Sequence, residues 1–250
     1  MIKNKRSFKE WLLDIVYPRH IKCVFCGEEL NENADKETCE DCAEHLPYIL
    51  NPCPKCGNPM SKEEIGVCFE CKTKNYEFEQ AISTFEYSGK VVKAVHDFKF
   101  EGNKPIFEPL AEYMCETLAS CDIKPDLVTF VPMQKKKQKQ RGYNQAELLA
   151  RCVAQKFGYP CAEIVEKVKD NQNQSTLNFD ERQTNIVGAF AVKKEFKPLI
   201  KDLTVLLIDD IFTTGATCNE ISKVLRHAGA NKIYVLTLAH TKLENDNKIV

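Results

Sequence analysis

The chain has 250 residues, of which 43% are hydrophobic, 28% charged and 9% aromatic, a balance that excludes a disordered, collagenous or membrane-embedded polypeptide and fits one or two domains. Lysine and arginine total 35 against 36 aspartates and glutamates, so the formal charge of −1 excludes a global attraction to nucleic acid or an anionic membrane, and any polyanion site must be local. Thirteen cysteines make an odd, high count, and eight of them form four Cys-x-x-Cys pairs before residue 72, which favours metal over disulfides.

Residues 1–22 begin with Lys3, Lys5, Arg6 and Lys9 and run through Trp11, Leu12, Leu13, Ile15 and Val16 to Pro18. The apolar stretch carries Asp14, has no small-residue cleavage site and falls short of the roughly 18 residues of a membrane span. Neither a signal peptide nor a transmembrane helix is expected, and a cytoplasmic protein follows. Residues 7–17 read as a short amphipathic helix that docks Trp11, Leu12 and Ile15 on the body of the protein.

Residues 23–76 form the cysteine module. Twelve residues separate the pair Cys23/Cys26 from Cys39/Cys42, and eleven separate Cys53/Cys56 from Cys68/Cys71, so one plan occurs twice. A tetrahedral zinc ion takes four thiolates at about 2.3 Å, and two Cys-x-x-Cys turns complete such a site. Gly27 and Gly57 follow Cys26 and Cys56, where a metal knuckle tightens. Each copy is far below the roughly 40 residues at which a chain usually folds without metal or crosslinks, and zinc binding worth about 10–16 kcal/mol supplies the difference. Sequential sites, 23/26/39/42 and 53/56/68/71, are expected, although a crossed arrangement has the same spacings. His20 and His45 read as bystanders.

From residue 77 to about 240 the texture changes to alternating strand-like and helix-like segments, the pattern of an α/β domain with a mostly parallel sheet. Strands are expected at 81–87, 127–131, 203–209 and 232–239, with shorter ones near 162–165 and 188–192. Helices are expected at 90–99, 105–119, 143–157 and 216–228. Residues 241–250 lack pattern and read as a frayed tail. Cys115, Cys121, Cys152, Cys161 and Cys218 have no partners at ligand spacing and read as small apolar fillers.

The most informative stretch runs Val205-Leu206-Leu207-Ile208-Asp209-Asp210-Ile211-Phe212-Thr213-Thr214-Gly215-Ala216-Thr217. A buried apolar run ends in two carboxylates, then a hydroxyl-rich loop with one glycine opens a helix. Ligands of open α/β sheets sit beyond the carboxyl ends of the strands. The loop amides and the positive end of the helix dipole suit a phosphate. Two acids beside a phosphate would repel it unless they face sugar hydroxyls or magnesium, so a phosphorylated ribose is the expected ligand. The missing Gly-Lys-Ser/Thr ending excludes a Walker loop. The segment resembles the 13-residue motif of type I phosphoribosyltransferases that binds 5-phosphoribosyl 1-pyrophosphate (PRPP). That resemblance implies that Asp209 and Asp210 hold the ribose hydroxyls and that Thr213, Thr214, Gly215, Ala216 and Thr217 hold the 5′-phosphate.

After strand 127–131, residues 134–141 carry five positive charges, Lys135, Lys136, Lys137, Lys139 and Arg141. A basic loop in this place could neutralise a pyrophosphate, with Arg141 able to grip two oxygens. Lys136 and Lys137 alone read as solvated surface, and Lys99 is a second candidate cation near the phosphates.

Several features in order narrow the resemblance: Asp14 to Pro18, the double cysteine module, His96-Asp97-Phe98-Lys99-Phe100, Val131-Pro132, Arg141-Gly142-Tyr143-Asn144-Gln145, Gln174 and Leu177 with Arg182 and Asn185, Gly188-Ala189-Phe190, and the acidic phosphate motif. Together they resemble the ComF family over residues 12–240. The resemblance implies a type I phosphoribosyltransferase fold behind a double zinc ribbon, with two structural zinc ions, and magnesium bound with PRPP. It also implies a pyrophosphate loop at Val131-Pro132-Met133 and a mobile flap at 169–185. Met133, Gln134 and Gln183 depart from the residues usual in the family.

Two functional readings follow. One is magnesium-dependent phosphoribosyl transfer to an unknown acceptor, with Asp209 and Asp210 as positioning groups and no protein nucleophile required. The other, drawn from the ComF resemblance, is a non-catalytic adaptor that senses PRPP and handles incoming single-stranded DNA or docks competence proteins through the ribbons. Backbone contacts to DNA would fall to Lys135 through Arg141, although no aromatic-interleaved basic strip supports them.

Overall fold

The computed structural model describes residues 21–31, 34–100, 106–169 and 186–242. In chain order these carry α1 (Glu40–Glu44), α2 (Phe69–Thr73), β1 (Gln80–Glu86), α3 (Gly89–Phe100), α4 (Phe107–Ala119), β2 (Leu127–Phe130), α5 (Lys135–Arg141), α6 (Gln145–Phe157), β3 (Val165–Lys167), β4 (Phe190–Val192), β5 (Thr204–Phe212), α7 (Ala216–His227) and β6 (Lys232–His240). The expected amino-terminal helix, the flap beyond residue 169 and the tail beyond residue 242 lie outside the described residues.

The central sheet has the order β1-β6-β5-β2, and its three pairings are all parallel. Its middle strands are apolar almost throughout because both faces are covered. Leu206 and Ile208 of β5 enter one core with Leu110 and Met114 of α4 and Leu149 of α6. Val205 and Leu207 enter a second core with Ile221 and Leu225 of α7 and with Val165 and Phe190 of the antiparallel pair β3-β4. Alternation along the strand thus assigns each residue to one face. Helix α6 shows the matching helical logic: Ala146, Leu149, Ala150, Val153 and Ala154 are buried at helical spacing, Asn144 caps its start and Gly158 ends it.

The basic stretch expected as a loop is instead helix α5. Lysine and glutamine are good helix formers, and nothing between Gln134 and Arg141 interrupts them. The helix stops at Gly142, which adopts the left-handed conformation at φ 81° and donates its N–H to Gln138 O at 2.7 Å.

The two cysteine units repeat one geometry. Gly27 N–H donates to Cys23 O at 2.8 Å and Gly57 N–H to Cys53 O at 2.9 Å, while α1 and α2 each begin directly after the third cysteine of their unit. They sit on opposite faces of the sheet. Phe25 of the first packs at 5.8–5.9 Å ring spacing on Phe85 and Tyr113 in the α4 core, whereas Cys53, Cys56 and Cys68 of the second join Phe78 and Ala81 in the α7 core.

The second unit and the stretch that joins it to the first cover the outer edge of β1. Ala81 N–H donates to Lys55 O at 2.9 Å, Ile49 N–H to Thr84 O at 3.3 Å, and Glu86 N–H to Pro47 O at 2.8 Å. An edge strand that would otherwise offer unpaired backbone groups is thereby closed. The approach is tight enough that a Cβ on residue 57 would lie 2.8 Å from Ala81 O, which together with its φ of 74° makes Gly57 the fitting residue.

Candidate functional site

The eight sulfurs fall into two groups, Cys23/Cys26/Cys39/Cys42 and Cys53/Cys56/Cys68/Cys71, within each of which all ligand atoms lie within 4.8 Å of one another. The sequential pairing holds and the crossed one does not. Four sulfurs at about 2.3 Å from a tetrahedral ion should be about 3.8 Å apart. Cys26 to Cys39 measures 3.7 Å, Cys53 to Cys71 3.8 Å and Cys56 to Cys68 3.5 Å, so both sets fit zinc. Lys90 Nζ lies 3.4 Å from Cys42 Sγ. His45 belongs to neither set and is exposed, with Nδ1 2.7 Å from Asp41 O. His20 lies outside the described residues.

At the carboxyl ends of β2 and β5, the acidic pair, residues 131–133 and Lys99 converge. Val131 N–H donates to Ile208 O at 3.0 Å, setting the Val131-Pro132-Met133 segment beside the end of the strand that bears Asp209 and Asp210. Asp209 Oδ1 accepts the Asp210 N–H at 2.9 Å, and Asp210 Oδ1 accepts the Ile211 N–H at 2.7 Å. Lys99 Nζ lies 2.7 Å from Asp210 Oδ2. Burial, aided by the adjacent Asp210 charge, pushes the Asp209 carboxyl well above the ordinary carboxylate value. The Cys218 thiol is likewise pushed well up, by burial and then by the two aspartates, which suits an inert filler.

Beyond the acids the chain turns through Thr213, which is exposed, and Thr214 and Gly215, which are buried, into Ala216, Thr217 and the rest of α7. Thr214 Oγ1 accepts the Ala216 N–H at 3.3 Å. Gly215 has φ 73°, and a Cβ there would meet Phe212 Cζ at 2.5 Å and Tyr76 Cε1 at 3.0 Å. Phe212 in turn stacks on His240 at 4.7 Å. Burial drives the His240 pKa down to about 4, leaving a neutral ring.

A second set of residues holds these parts in register. Asn144, besides capping α6, donates from Nδ2 to Val131 O at 2.9 Å. Tyr143 OH donates to Phe98 O at 2.5 Å and Gln145 Nε2 to the same oxygen at 3.4 Å, so both grip the residue before Lys99. Arg141 Nη1 donates to Gln145 Oε1 at 3.3 Å. The Arg-Gly-Tyr-Asn-Gln run is visible in the sequence as a motif. Its clamping role is not, because both of its carbonyl targets lie on other elements. Tyr76 gives no local signal at all.

Two family models match the chain: a double zinc ribbon domain at residues 12–72 and a phosphoribosyl transferase domain at residues 144–250. Solved structures with weak overall similarity include an allosteric regulatory enzyme of purine biosynthesis (TM-score 0.35, 19% identity, 52% of this chain and 25% of that one). A purine phosphoribosyltransferase from Pyrococcus horikoshii is similar at TM-score 0.34 and 19% identity, over 55% of this chain and 76% of that one. The parallel sheet flanked by helices and the matched domain define the class: a type I phosphoribosyltransferase fold behind a double zinc ribbon.

Among characterised relatives, Competence protein F of Haemophilus influenzae is 30% identical over 88% of this chain and 97% of its own length. DNA utilization protein YhgH of Salmonella typhimurium is 27% identical over 81% and 90%, and Competence protein ComFC of Bacillus subtilis is 25% identical over 83% and 89%. The chain belongs to the ComF family.

Proposed function

We propose that this protein binds PRPP with magnesium in the cytoplasm and transfers its phosphoribosyl group to an acceptor, in the service of competence and the use of incoming DNA. The observation that carries the reading is the convergence at one end of the sheet of an acidic strand tip, a glycine-containing threonine loop opening a helix, and a cation, Lys99, 2.7 Å from Asp210. The competence names of the relatives support the biological setting.

In this reading Asp209 and Asp210 hold the ribose hydroxyls and residues 213–217 hold the 5′-phosphate. Residues 131–133, Arg141 and Lys99 face the pyrophosphate. The bond from sugar C1 to the pyrophosphate oxygen breaks, the bond from C1 to the acceptor forms, and the acceptor's proton leaves to solvent. Magnesium bound with PRPP supplies charge neutralisation for the departing pyrophosphate. Among the described residues the only clusters of three or more metal-ligating side chains are the two cysteine sets, so magnesium would rely on one or two carboxylates plus substrate oxygens, its usual habit. Calorimetric titration with PRPP is expected to show binding that requires magnesium, and pyrophosphate is expected to be released in the presence of one of a panel of bases and amines. Absence of PRPP binding at millimolar ligand overturns the reading.

A second reading, an adaptor that contacts single-stranded DNA, is favoured by α5, where Lys135, Lys136 and Lys139 are exposed and no acid interrupts them. Changing Lys135, Lys136, Lys137 and Lys139 to glutamine is expected to weaken binding of a labelled oligonucleotide and to reduce its salt slope by about 0.7 for every DNA phosphate that one of these lysines neutralises. Identical binding curves would remove α5 from the interface. Among the described residues no helix is long and apolar enough to cross a membrane.

A further inference from the structure

Residues 74–79, the strap that leaves the second zinc unit for β1, run along the whole of α7. Tyr76 OH donates to Thr214 O at 3.2 Å at the start of the helix. Glu77 N–H donates to Asn219 Oδ1 at 2.7 Å one turn on, and Arg226 near its end donates from Nη2 to Glu77 O at 2.7 Å and to Glu79 Oε1 at 2.8 Å. The ring of Tyr76 is stacked on buried Phe78 at 4.8 Å, and Phe78 packs edge-on against Phe212 at 6.1 Å. On the other side Cys71, the last ligand of the second cysteine set, precedes Tyr76 by five residues.

Two consequences follow for the loop. The rings of Tyr76 and Phe212 fill the space that a side chain at residue 215 would take, so they form a floor against which the backbone of Gly215 rests. The hydroxyl also fixes a peptide plane. In a trans peptide the carbonyl oxygen and the following N–H point in opposite directions. With Thr214 O turned toward Tyr76, the N–H of Gly215 is turned away from the strap.

We propose that Tyr76 is a positioning residue for the 5′-phosphate loop, orienting the Thr214–Gly215 peptide so that its N–H is presented to the phosphate. The inference rests on the phosphoribosyl reading and adds to it that the exit of the second zinc unit is part of the phosphate site. A backbone donor held in one direction by a pinned carbonyl is a preorganised anion contact, which needs no rearrangement when the ligand arrives.

The test compares wild type, Tyr76→Phe and Tyr76→Leu by calorimetric titration with ribose 5-phosphate, PRPP and inorganic pyrophosphate, alongside zinc content. Tyr76→Phe keeps the ring floor and removes only the hydroxyl. It is expected to weaken ribose 5-phosphate and PRPP alike by about fivefold, the worth of one neutral hydrogen bond, with pyrophosphate binding and two zinc ions per chain unchanged. Tyr76→Leu, which also loses the ring, is expected to weaken the same two ligands further. Ribose 5-phosphate bound by Tyr76→Phe as tightly as by wild type overturns the proposal, and so does an equal loss for pyrophosphate or a loss of zinc. A wild-type protein that binds pyrophosphate but neither 5′-phosphorylated ligand overturns the phosphoribosyl reading itself, and the role of Tyr76 with it.

Discussion

Removing zinc from the second cysteine set is expected to lower the melting temperature of the α/β domain together with that of the ribbon, in one cooperative transition. Lys55, which lies between the ligands Cys53 and Cys56, accepts the Ala81 N–H of β1, and Cys53, Cys56 and Cys68 belong to the same buried core as Val205, Leu207 and Ile221. Without metal the knuckle has no reason to keep its shape, the edge of β1 is exposed, and part of that core opens. Of the about 10–16 kcal/mol that such metal binding is worth, even 4 kcal/mol felt by the folded state lowers Tm by on the order of 10 °C in a chain of this size. Scanning calorimetry of Cys56→Ser, and of wild type titrated with a chelator, checks this. A separate, undisplaced transition for the α/β domain would show that the ribbons are only tethered to it.

In the phosphoribosyl reading, replacing both strand-tip acids is expected to weaken PRPP binding severely. In Asp209→Asn/Asp210→Asn each missing charged hydrogen bond to ribose is worth about 1.5–3 kcal/mol, so PRPP affinity should fall on the order of 100-fold or more. The change at Asp209 alone should make the free protein more stable at neutral pH. Asp209 has its pKa raised in the fold above an ordinary value of 3.8, chiefly by burial and then by Asp210. A carboxyl whose folded pKa is raised holds its proton more tightly in the native than in the unfolded state, so its contribution to stability falls as pH rises from the unfolded value through the folded one. Asparagine, which never ionises, escapes that loss. The single variant Asp209→Asn is therefore expected to melt above wild type at pH 7, with the difference vanishing as pH falls below 3.8 and both states of the wild-type residue become protonated. Melting curves across pH check the sign. A variant less stable than wild type at neutral pH would mean that the aspartate is held charged by favourable contacts.

Asp210 behaves differently because its carboxylate already has a partner. Lys99, at the end of α3, occupies the acid in the free protein. In the phosphoribosyl reading ribose must displace that ammonium, which then lies close to where pyrophosphate would sit. The clamp of Tyr143 and Gln145 on Phe98 O fixes the backbone just before that lysine.

Much of this molecule is legible without coordinates because its chemistry is written in short stretches of chain. The duplicated cysteine spacing forces two four-sulfur sites, since a Cys-x-x-Cys turn brings its own sulfurs together wherever it sits. The apolar run of β5 ending in two acids and a threonine-glycine turn declares a buried parallel strand and a helix start within 13 residues. Helix α5 escapes that reading because its charge suggests a loop, while the helix propensity of lysine and glutamine, stopped by Gly142, decides the backbone.

Tertiary structure alone decided which distant groups meet. That the zinc units take opposite faces of the sheet, that the second unit and the stretch before it close the β1 edge, that Lys99 rests on Asp210, that Asn144 holds Val131, and that Tyr76 pins Thr214 from 138 positions away are all facts of chain path. The physical reason is that a local motif fixes the dihedral angles and donors of a few neighbouring residues, whereas a contact between remote residues depends on how every intervening element packs. Residue identity therefore supplied the ligands and the loop, and the packing of the sheet determined what holds them in place.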